Sequence, residues 1–348
     1  MQHFGVKCRR RRLLCMLAFV ALLTDPAKAQ DTTTVSHPAD SLYIEKFKDW
    51  IIFKFAVINT SESLVTKTDG FSYIFQPNPS EIFRAYASYR IISLYIDYIP
   101  RFLSGNMDDV EKGKSKGIAF GTSLNFHNWF TELSYTRTQG YYLQNTKDFR
   151  PNWQPGDPYL QVPDLYVTSF EGATGYNSNP HLSLAATTSQ TERQLKSAGS
   201  FLPKLSYRYY IIDNRTPVVT FTQKAANLQA LLGAGYQYTF VWNKTFYLTG
   251  AFTPSFGYIF SKVTTRTPTD HSSFTQRGPI YQWDAKLGLG YNGHRIFTGA
   301  YLTAISSQYA QGLSTAVNQN ASVYLQLFFG VRLIAPKFIQ KTYAKVFH

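Results

Sequence analysis

The sequence predicts an all-β fold, a transmembrane antiparallel outer-membrane β-barrel of about 12 strands, with about 14 strands as the alternative. The clearest strand spans residues 320–333, where every second residue from Ala321 to Leu333 is apolar and most residues between them are polar or small. Side chains alternate between the two faces of a strand, so one face of this segment suits lipid and the other suits water. The run exceeds the ~9–11 tilted residues that cross a bilayer.

Composition supports the same fold class. The chain has 25 Tyr and 27 Phe, yet no segment after the leader approaches the ~18 consecutive apolar residues of a membrane-spanning helix. A soluble β-sandwich also has alternating strands, but its strands are usually about 5–6 residues long. Several runs in this chain extend over roughly 12–16 residues, which favours a barrel.

Residues 1–29 have the pattern of a secretory signal peptide. Arg9–Arg12 are basic, the following residues 13–23 are apolar, and Ala27-Lys28-Ala29 matches a cleavage site. Both cysteines lie in this leader, so no disulfide is expected in the mature chain. We expect residues 30–62 to form a periplasmic lead-in or plug segment, residues 63–334 the barrel, and residues 335–348 a basic periplasmic tail.

The strands alternate with short and long connections, as in outer-membrane barrels with short periplasmic turns and longer external loops. The predicted strands are residues 71–76, 82–89, 91–98, 116–126, 129–143, 181–190, 197–212, 227–241, 244–261, 279–292, 295–307 and 320–333. The apolar run 50–58 is left over, because an even barrel cannot use a thirteenth strand. A missed strand near residues 165–170 would raise the number to about 14. Residues 144–180, rich in Pro and Gly, are predicted to form a long external loop.

Charged residues alternate with the predicted lipid-facing residues and are therefore expected in the lumen. These candidates are Arg84, Glu132, Lys204, Arg208, Asp284, Lys286 and Arg332. One interpretation is a polar channel or binding lumen that favours anions. The other is a salt-bridged network that fills the inside of a narrow barrel, which the sequence favours. Asp284 and Lys286 share a face and are expected to interact.

His181 and Ser183 are the weak catalytic candidates. They share a strand face in the predicted register, and outer-membrane lipid hydrolases use a His-x-Ser pair as base and nucleophile. However, the register directs both side chains to the lumen rather than to lipid, and no orienting acid is marked. The sequence therefore predicts no enzyme, and it contains no motif for a metal or a cofactor.

Four short motifs, taken in order, resemble a family of Bacteroidota outer-membrane β-barrels catalogued as domain of unknown function 4421. They are Phe75-Gln76-Pro77-Asn78, Gly140-Tyr141-Tyr142, the run from Lys196 to Phe201, and Phe329-Gly330-Val331-Arg332 followed by Pro336. The resemblance covers most of the mature chain. It implies a barrel in the outer membrane of a Gram-negative cell and adds no catalytic residue.

The predicted function is a channel, transport or solute-binding barrel with a polar, basic lumen. The alternative is a structural or surface-interaction barrel that presents the loop 144–180, and a lipid hydrolase ranks below both. Expected partners are membrane lipids and lipopolysaccharide, the barrel assembly machinery and a small solute. Nucleic acid is not expected, although the net charge is +14, because an exported barrel does not meet it.

Overall fold

The computed structural model describes residues 42–68, 71–217, 222–310 and 317–347, so the predicted leader lies outside the described residues. The strands are β1 (Ile44–Lys46), β2 (Trp50–Thr68), β3 (Phe71–Gln76), β4 (Glu81–Tyr89), β5 (Ile92–Tyr98), β6 (Lys116–Phe126), β7 (Trp129–Leu143), β8 (Leu160–Tyr176), β9 (Glu192–Gln194), β10 (Ala198–Asn214), β11 (Thr222–Trp242), β12 (Phe246–Arg266), β13 (His271–Asn292), β14 (Ile296–Ala310) and β15 (Val317–Ile334). Residues Asp109–Lys112 form helix α1, and residues Lys337–Phe347 form helix α2. No helix in these ranges is long and apolar enough to cross a membrane.

Twelve strands form a closed antiparallel barrel, as the sequence predicts. They are β2, β4 to β8 and β10 to β15, each paired with its neighbours in this order. The barrel closes where β15 pairs with β2, from Asn318 opposite Thr66 to Ile334 opposite Trp50. This pairing closes the ring of twelve strands, so backbone polar groups of neighbouring strands bind one another within the wall. The end that holds Trp50 and Ile334 carries the short turns and is the periplasmic end.

The outer face of the barrel is apolar, and in β15 it follows the register that the sequence predicts. In β15, Val323, Leu325, Leu327 and Phe329 are exposed, whereas Phe328 between the last two is buried. The same alternation covers β11, β12 and β13, where the exposed large residues are Leu228, Leu232, Tyr236, Tyr238, Phe240, Phe246, Leu248, Phe252, Phe256, Tyr258, Tyr281, Leu287, Leu289 and Tyr291. An outer face of this kind suits the hydrocarbon core of a bilayer.

The predicted identity of the first barrel strand is wrong. Residues 50–58 belong to β2, which pairs with β15 and β4, so the barrel begins at Trp50 rather than at residue 63. Residues 71–76 form β3 and are not one of the twelve strands of the ring. The inward Ile52 and Ile58 are as apolar as the outward Phe55, because they pack inside the barrel. The two faces of a strand do not differ in polarity where the inward face packs in a hydrophobic core.

A second exchange occurs near the middle of the chain. The predicted loop 144–180 contains β8, which pairs with β7 and β10, whereas residues 181–190 form turns rather than a strand. Glycine in β8 conceals its strand character in the sequence. Gly172 is required by close packing, because a Cβ there would lie 2.7 Å from the Tyr207 ring and from the Glu132 carbonyl oxygen. The count of about twelve strands holds because the two exchanges compensate.

The set of strands that forms the wall of the barrel changes towards the external end. There, β3 pairs with the end of β2 from Leu64 to Thr68 and contacts β7 through Phe75 and Gln76. At this level β3 alone connects β2 to β7, whereas nearer the periplasm β4, β5 and β6 make that connection. One strand thus takes the place of three, and the wall parts where the two arrangements meet.

The inner face at the periplasmic end holds a hydrophobic core. Its members come from β2, β12, β14 and β15 and are Ile52, Ala56, Ile58, Tyr247, Phe297, Tyr301 and Phe328. The hydroxyls of Tyr247 and Tyr301 are 2.8 Å apart, although β13 lies between their strands. Side chains from different parts of the wall therefore meet inside the barrel at this end, as expected for a barrel of intermediate size.

Candidate functional site

The segment between β8 and β10, residues 177–197, folds into the periplasmic mouth of the barrel. We call it the plug. Its polar groups contact five strands around the wall, namely β2, β10, β11, β13 and β15. Within it, Leu182, Ala186 and Gln190 are almost completely buried. The N-terminal strand β1 pairs with β9 of the plug, from Ile44 opposite Gln194 to Lys46 opposite Glu192. The two segments together close the mouth.

Arg332, a predicted lumen residue, holds the plug to the wall. Its side chain is 1% exposed. Its guanidinium donates hydrogen bonds to the carbonyl oxygens of Gln190 at 3.0 Å and Gly293 at 2.6 Å, and to Asn292 Oδ1 at 2.6 Å. It also lies over the Phe47 ring at 4.1 Å. The charge is thus stabilised by carbonyl dipoles and an aromatic ring.

Lys54 is a second buried cation that contacts the plug. Its Nζ donates to the carbonyl oxygen of Thr188 at 2.6 Å and lies 3.8 Å from the centre of the Tyr86 ring. Next in the plug, Gln190 has a φ of +60°, a left-handed conformation that costs a non-glycine residue free energy. Its side-chain oxygen accepts a hydrogen bond from Asn292 Nδ2 at 3.0 Å. The plug therefore includes a strained residue that is fixed from the wall.

The catalytic candidates His181 and Ser183 both lie in the plug. The His181 ring stacks on Tyr43, with 4.3 Å between ring centroids. The Ser183 hydroxyl donates to Glu192 Oε2 at 2.6 Å and accepts from the Ala186 backbone N–H at 2.9 Å, as in a capped turn. Ser183 is buried, and within the described residues no hydrogen bond joins it to His181. Both side chains therefore make contacts that stabilise the plug.

Three predicted lumen cations form ion pairs. Arg84 binds Asp97 through two hydrogen bonds of 2.5 and 2.7 Å. Arg208 Nε is 3.3 Å from Glu171 Oε2 on the neighbouring strand. The remaining pair joins Lys204 of β10 to Asp284.

Two whole strands, β11 and β12, separate Lys204 from Asp284 along the wall. The pair must therefore reach across the inside of the barrel. The predicted interaction between Asp284 and Lys286 is wrong, because Asp284 is bound to Lys204 and to Gln282 instead.

Lys286 and Glu132 are the remaining predicted lumen charges. Lys286 Nζ lies 4.3 Å from the centre of the Tyr301 ring, and Tyr301 stacks on Phe328, which also faces Lys54. Within the described ranges, neither Lys54 nor Lys286 has a carboxylate within salt-bridge distance. Glu132 is exposed on an inward position, so water reaches this part of the lumen. The lumen therefore has an excess of cations near the plug.

At the external end, a cavity of about 210 Å³ lies where the wall parts. It is lined by Asn59, Thr60, Ser61, Glu62, Gln76, Pro77, Asn78, Pro79, Ser80, Lys112 and Tyr142. Asn78 Oδ1 and Thr60 Oγ1 are buried without a hydrogen-bond partner. A small solute or several waters that donate hydrogen bonds would satisfy them.

Asn78 also holds the loop that covers the cavity. Its Nδ2 donates to the Gly113 carbonyl oxygen at 2.8 Å and to Asp109 Oδ1 at 3.2 Å. Burial opposes the charge of Lys112, but a 2.7 Å hydrogen bond to Asp108 outweighs it, so the pKa of Lys112 lies above its ordinary value. The ammonium group at this mouth is charged at neutral pH.

Sequence reasoning missed Lys54, Gln190 and Asn78. Lys54 had a usable signal, since it is a lone cation in the apolar run 50–58, at an inward position once that run is placed in the barrel. Asn78 stands between two prolines in one of the family motifs. No signal marks Gln190, because its role depends on Arg332 and Asn292, which are more than 100 residues away in the chain.

The family model described as Domain of unknown function (DUF4421) matches residues 38–333. The chain belongs to this family. The match extends from before β1 almost to the end of β15 and so includes both the plug and the external cavity. The family description states no activity, so membership in DUF4421 assigns no substrate. The Bacteroidota source that the resemblance implies stays a prediction. No curated protein matches the chain.

Solved structures similar to this DUF4421 chain include outer-membrane barrels with different roles. The outer membrane protease OmpT from Escherichia coli aligns with 8% identity and a TM-score of 0.39, over 83% of this chain and 98% of that chain. The toluene transporter TodX from P. putida aligns with 8% identity and a TM-score of 0.32, over 83% and 91%. The translocator domain of the autotransporter NalP from Neisseria meningitidis aligns with 9% identity and a TM-score of 0.33, over 85% and 92%. Likeness at this level assigns no role.

The closed antiparallel wall and its apolar outer face place this DUF4421 protein in the cell outer membrane. Only helices and closed barrels satisfy every backbone polar group in the hydrocarbon core. The twelve strands do so by pairing around the ring, and the exposed apolar residues of β11 to β15 supply the lipid contact.

Proposed function

We propose that this barrel is a transport channel for small solutes, closed at its periplasmic end by the plug. The plug itself carries the proposal. Residues 177–197 fill the mouth, and they are held to the wall by hydrogen bonds from buried Lys54 and Arg332. No cysteine is present beyond residue 15, so these contacts are non-covalent and reversible.

Strain in the plug supports a movable closure. Gln190 is bound by Arg332 and Asn292 in a left-handed conformation, which costs a non-glycine residue of order 1–3 kcal/mol. Displacement of the plug would release that strain and offset part of the cost of the broken hydrogen bonds. The free energies of the bound and the displaced plug would then differ by less than the number of plug contacts suggests.

The lumen charges suggest which solutes would pass. Arg84, Lys204 and Arg208 are neutralised by carboxylates. Lys54 and Lys286 have aromatic neighbours, and the nearby Glu132 supplies a single negative charge. Rings of unpaired basic side chains favour anions in pores. The proposal is therefore a channel with anion preference once the plug moves.

The test is single-channel conductance of the purified protein in planar bilayers. Replacing residues 183–192 with a four-residue Gly-Ser link removes the core of the plug. The join is short, because the His181 carbonyl oxygen lies 2.7 Å from Gln194 Nε2. We expect the parent protein to show small or rare openings and the variant to show frequent, large ones. A KCl gradient across the bilayer should then give a reversal potential that is shifted from zero towards the equilibrium potential of chloride.

A matched control replaces residues 151–158, in the external loop after β7, with the same link. It should leave the conductance of the parent protein unchanged. Equal conductance in the parent protein, the plug variant and the control would contradict the proposal. A cation-selective plug variant would contradict its anion preference alone.

The external cavity supports solute binding as a part of the same function. Its unpaired Asn78 Oδ1 and Thr60 Oγ1, with the Glu62 carboxylate, form a set of hydrogen-bond acceptors. They suit a small solute that donates hydrogen bonds. A surface-interaction barrel remains the second candidate, with residues 144–159 as the external loop in place of the longer loop 144–180. The proposal gives His181 and Ser183 no catalytic role.

A further inference from the structure

The helix α2, which follows the last barrel strand, has one basic and one apolar face. Lys337, Lys341 and Lys345 recur every four residues and are all exposed. At 3.6 residues per turn they lie on one side of the helix. The opposite side carries Ile339, Thr342, Tyr343 and Val346, and the apolar Phe338 and Phe347 lie at its two edges.

The apolar side of α2 is only partly covered. Tyr343 packs edge-on against Tyr89 with 5.4 Å between ring centroids, and Arg90 lies 4.7 Å from the centre of the Tyr343 ring. Phe338 and Val346 are each 69% exposed. The barrel therefore holds one edge of the apolar face and leaves the rest without a protein partner among the described residues.

The helix lies at the rim of the lipid-facing surface. It follows directly after Leu333 and Ile334, the last exposed apolar residues of β15. The Ala335 backbone N–H donates to the Asp49 carbonyl oxygen at 2.8 Å, which fixes the start of the helix beside β2. Its far part contacts the turn after β4, at Tyr89 and Arg90. Because β15 and β4 flank β2, the helix runs along the periplasmic rim.

We propose that α2 lies in the periplasmic leaflet of the outer membrane, with its apolar face among the acyl chains and its lysines on anionic phospholipid head groups. Only Ala335 and Pro336 separate the helix from Leu333 and Ile334, the exposed apolar end of β15, and this proximity to the lipid-facing band identifies lipid as the occupant. Three lysines on the opposite side match negative head groups. A basic amphipathic helix of this kind binds in the plane of an interface.

The test uses single-cysteine labelling of the purified mature protein, whose own sequence after the predicted leader has no cysteine. Val346→Cys and Ala344→Cys carry an environment-sensitive fluorophore on the apolar and the polar side of α2, respectively. The proteins are reconstituted in vesicles of phosphatidylcholine with and without phosphatidylglycerol. We expect a blue shift and quenching by lipid-attached spin labels at position 346, and much less of either at position 344.

A triple variant, Lys337→Gln, Lys341→Gln and Lys345→Gln, in the Val346→Cys background tests the head-group contact. It should lose at least half of the blue shift that depends on phosphatidylglycerol, since each lysine at an anionic surface is worth roughly a five-fold gain in binding. A probe at position 346 that stays in water in both vesicles would overturn the proposal. So would a blue shift that rises with protein density rather than with lipid charge, because it would identify a second copy as the occupant.

Discussion

The two ends of the barrel are closed in different ways. At the periplasmic end the wall keeps all twelve strands, and a separate segment, the plug, fills the mouth. At the external end the wall itself changes, as β3 replaces β4, β5 and β6, and a cavity remains where the strands part. The periplasmic end has a strained residue, Gln190, that Arg332 and Asn292 bind, whereas the external cavity has acceptors without partners.

The two ends also differ in how their buried polar groups are satisfied. Buried cations such as Arg332 and Lys54 bind plug carbonyl oxygens, so each end of these hydrogen bonds is satisfied only while the plug is in place. At the external end, Asn78 already uses its amide nitrogen to hold the covering loop, and its oxygen stays free. The periplasmic end is thus filled by a segment that the wall binds, and the external end retains a polar recess beneath a loop.

The largest effect is expected from removing the cation that fixes the plug. Arg332→Ala should leave the carbonyl oxygens of Gln190 and Gly293 without their donor inside the barrel. Hydrogen bonds from charged groups contribute about 1.5–3 kcal/mol each, so we expect the free energy of unfolding to fall by about 3 kcal/mol or more. Urea titration followed by tryptophan fluorescence in lipid vesicles measures it.

Lys244→Ala, at an exposed position of a periplasmic turn, is the control for that measurement, and it should change the free energy of unfolding by less than about 0.5 kcal/mol. If Arg332→Ala were as stable as this control, the plug would not be held through Arg332. The periplasmic end would then differ from the external end only in shape.

A smaller, local effect is expected at the external end. Asn78→Ala removes two hydrogen bonds to the loop around Gly113, a loss of about 1–2 kcal/mol. Because limited proteolysis follows the population of the open loop, trypsin should cleave after Lys112 and Lys114 roughly 5- to 30-fold faster. Cleavage after Lys196, in the plug, serves as the internal reference and should not change. Faster cleavage at both ends would indicate general destabilisation and remove the distinction between them.

The smallest effect is expected between the two ends, at the ion pair across the lumen. Lys204 and Asp284 are each partly exposed, so water screens their interaction. A double-mutant cycle with Lys204→Gln and Asp284→Asn should give a coupling free energy of about 1 kcal/mol or less. Unfolding in urea provides the four values. A coupling well above this range would mean that the middle of the lumen is dry, contrary to the exposure of Glu132.

Much of the barrel could be predicted from sequence, because lipid imposes a simple rule on outward residues. In β15 and β13 the apolar residues recur at every second position, and these are the exposed positions in the structure. The rule fails for strands whose inward side chains pack against other side chains instead of facing water. Ile52 and Ile58 of β2 face a hydrophobic core, so the run 50–58 lacks the polar face by which a barrel strand is predicted. Residues 181–190 alternate by chance and pack inside the mouth.

The fold class, the location in the outer membrane, the approximate number of strands and the outward register can all be predicted from the sequence. These follow from local periodicity and length, to which a bilayer responds directly. The partner of each lumen charge and the plug formed by residues 177–197 are apparent only in the folded barrel. Arg332 contacts Gln190 across 142 positions of the chain, and Lys204 meets Asp284 across 80. Such pairs depend on how the ring closes, which no local pattern encodes.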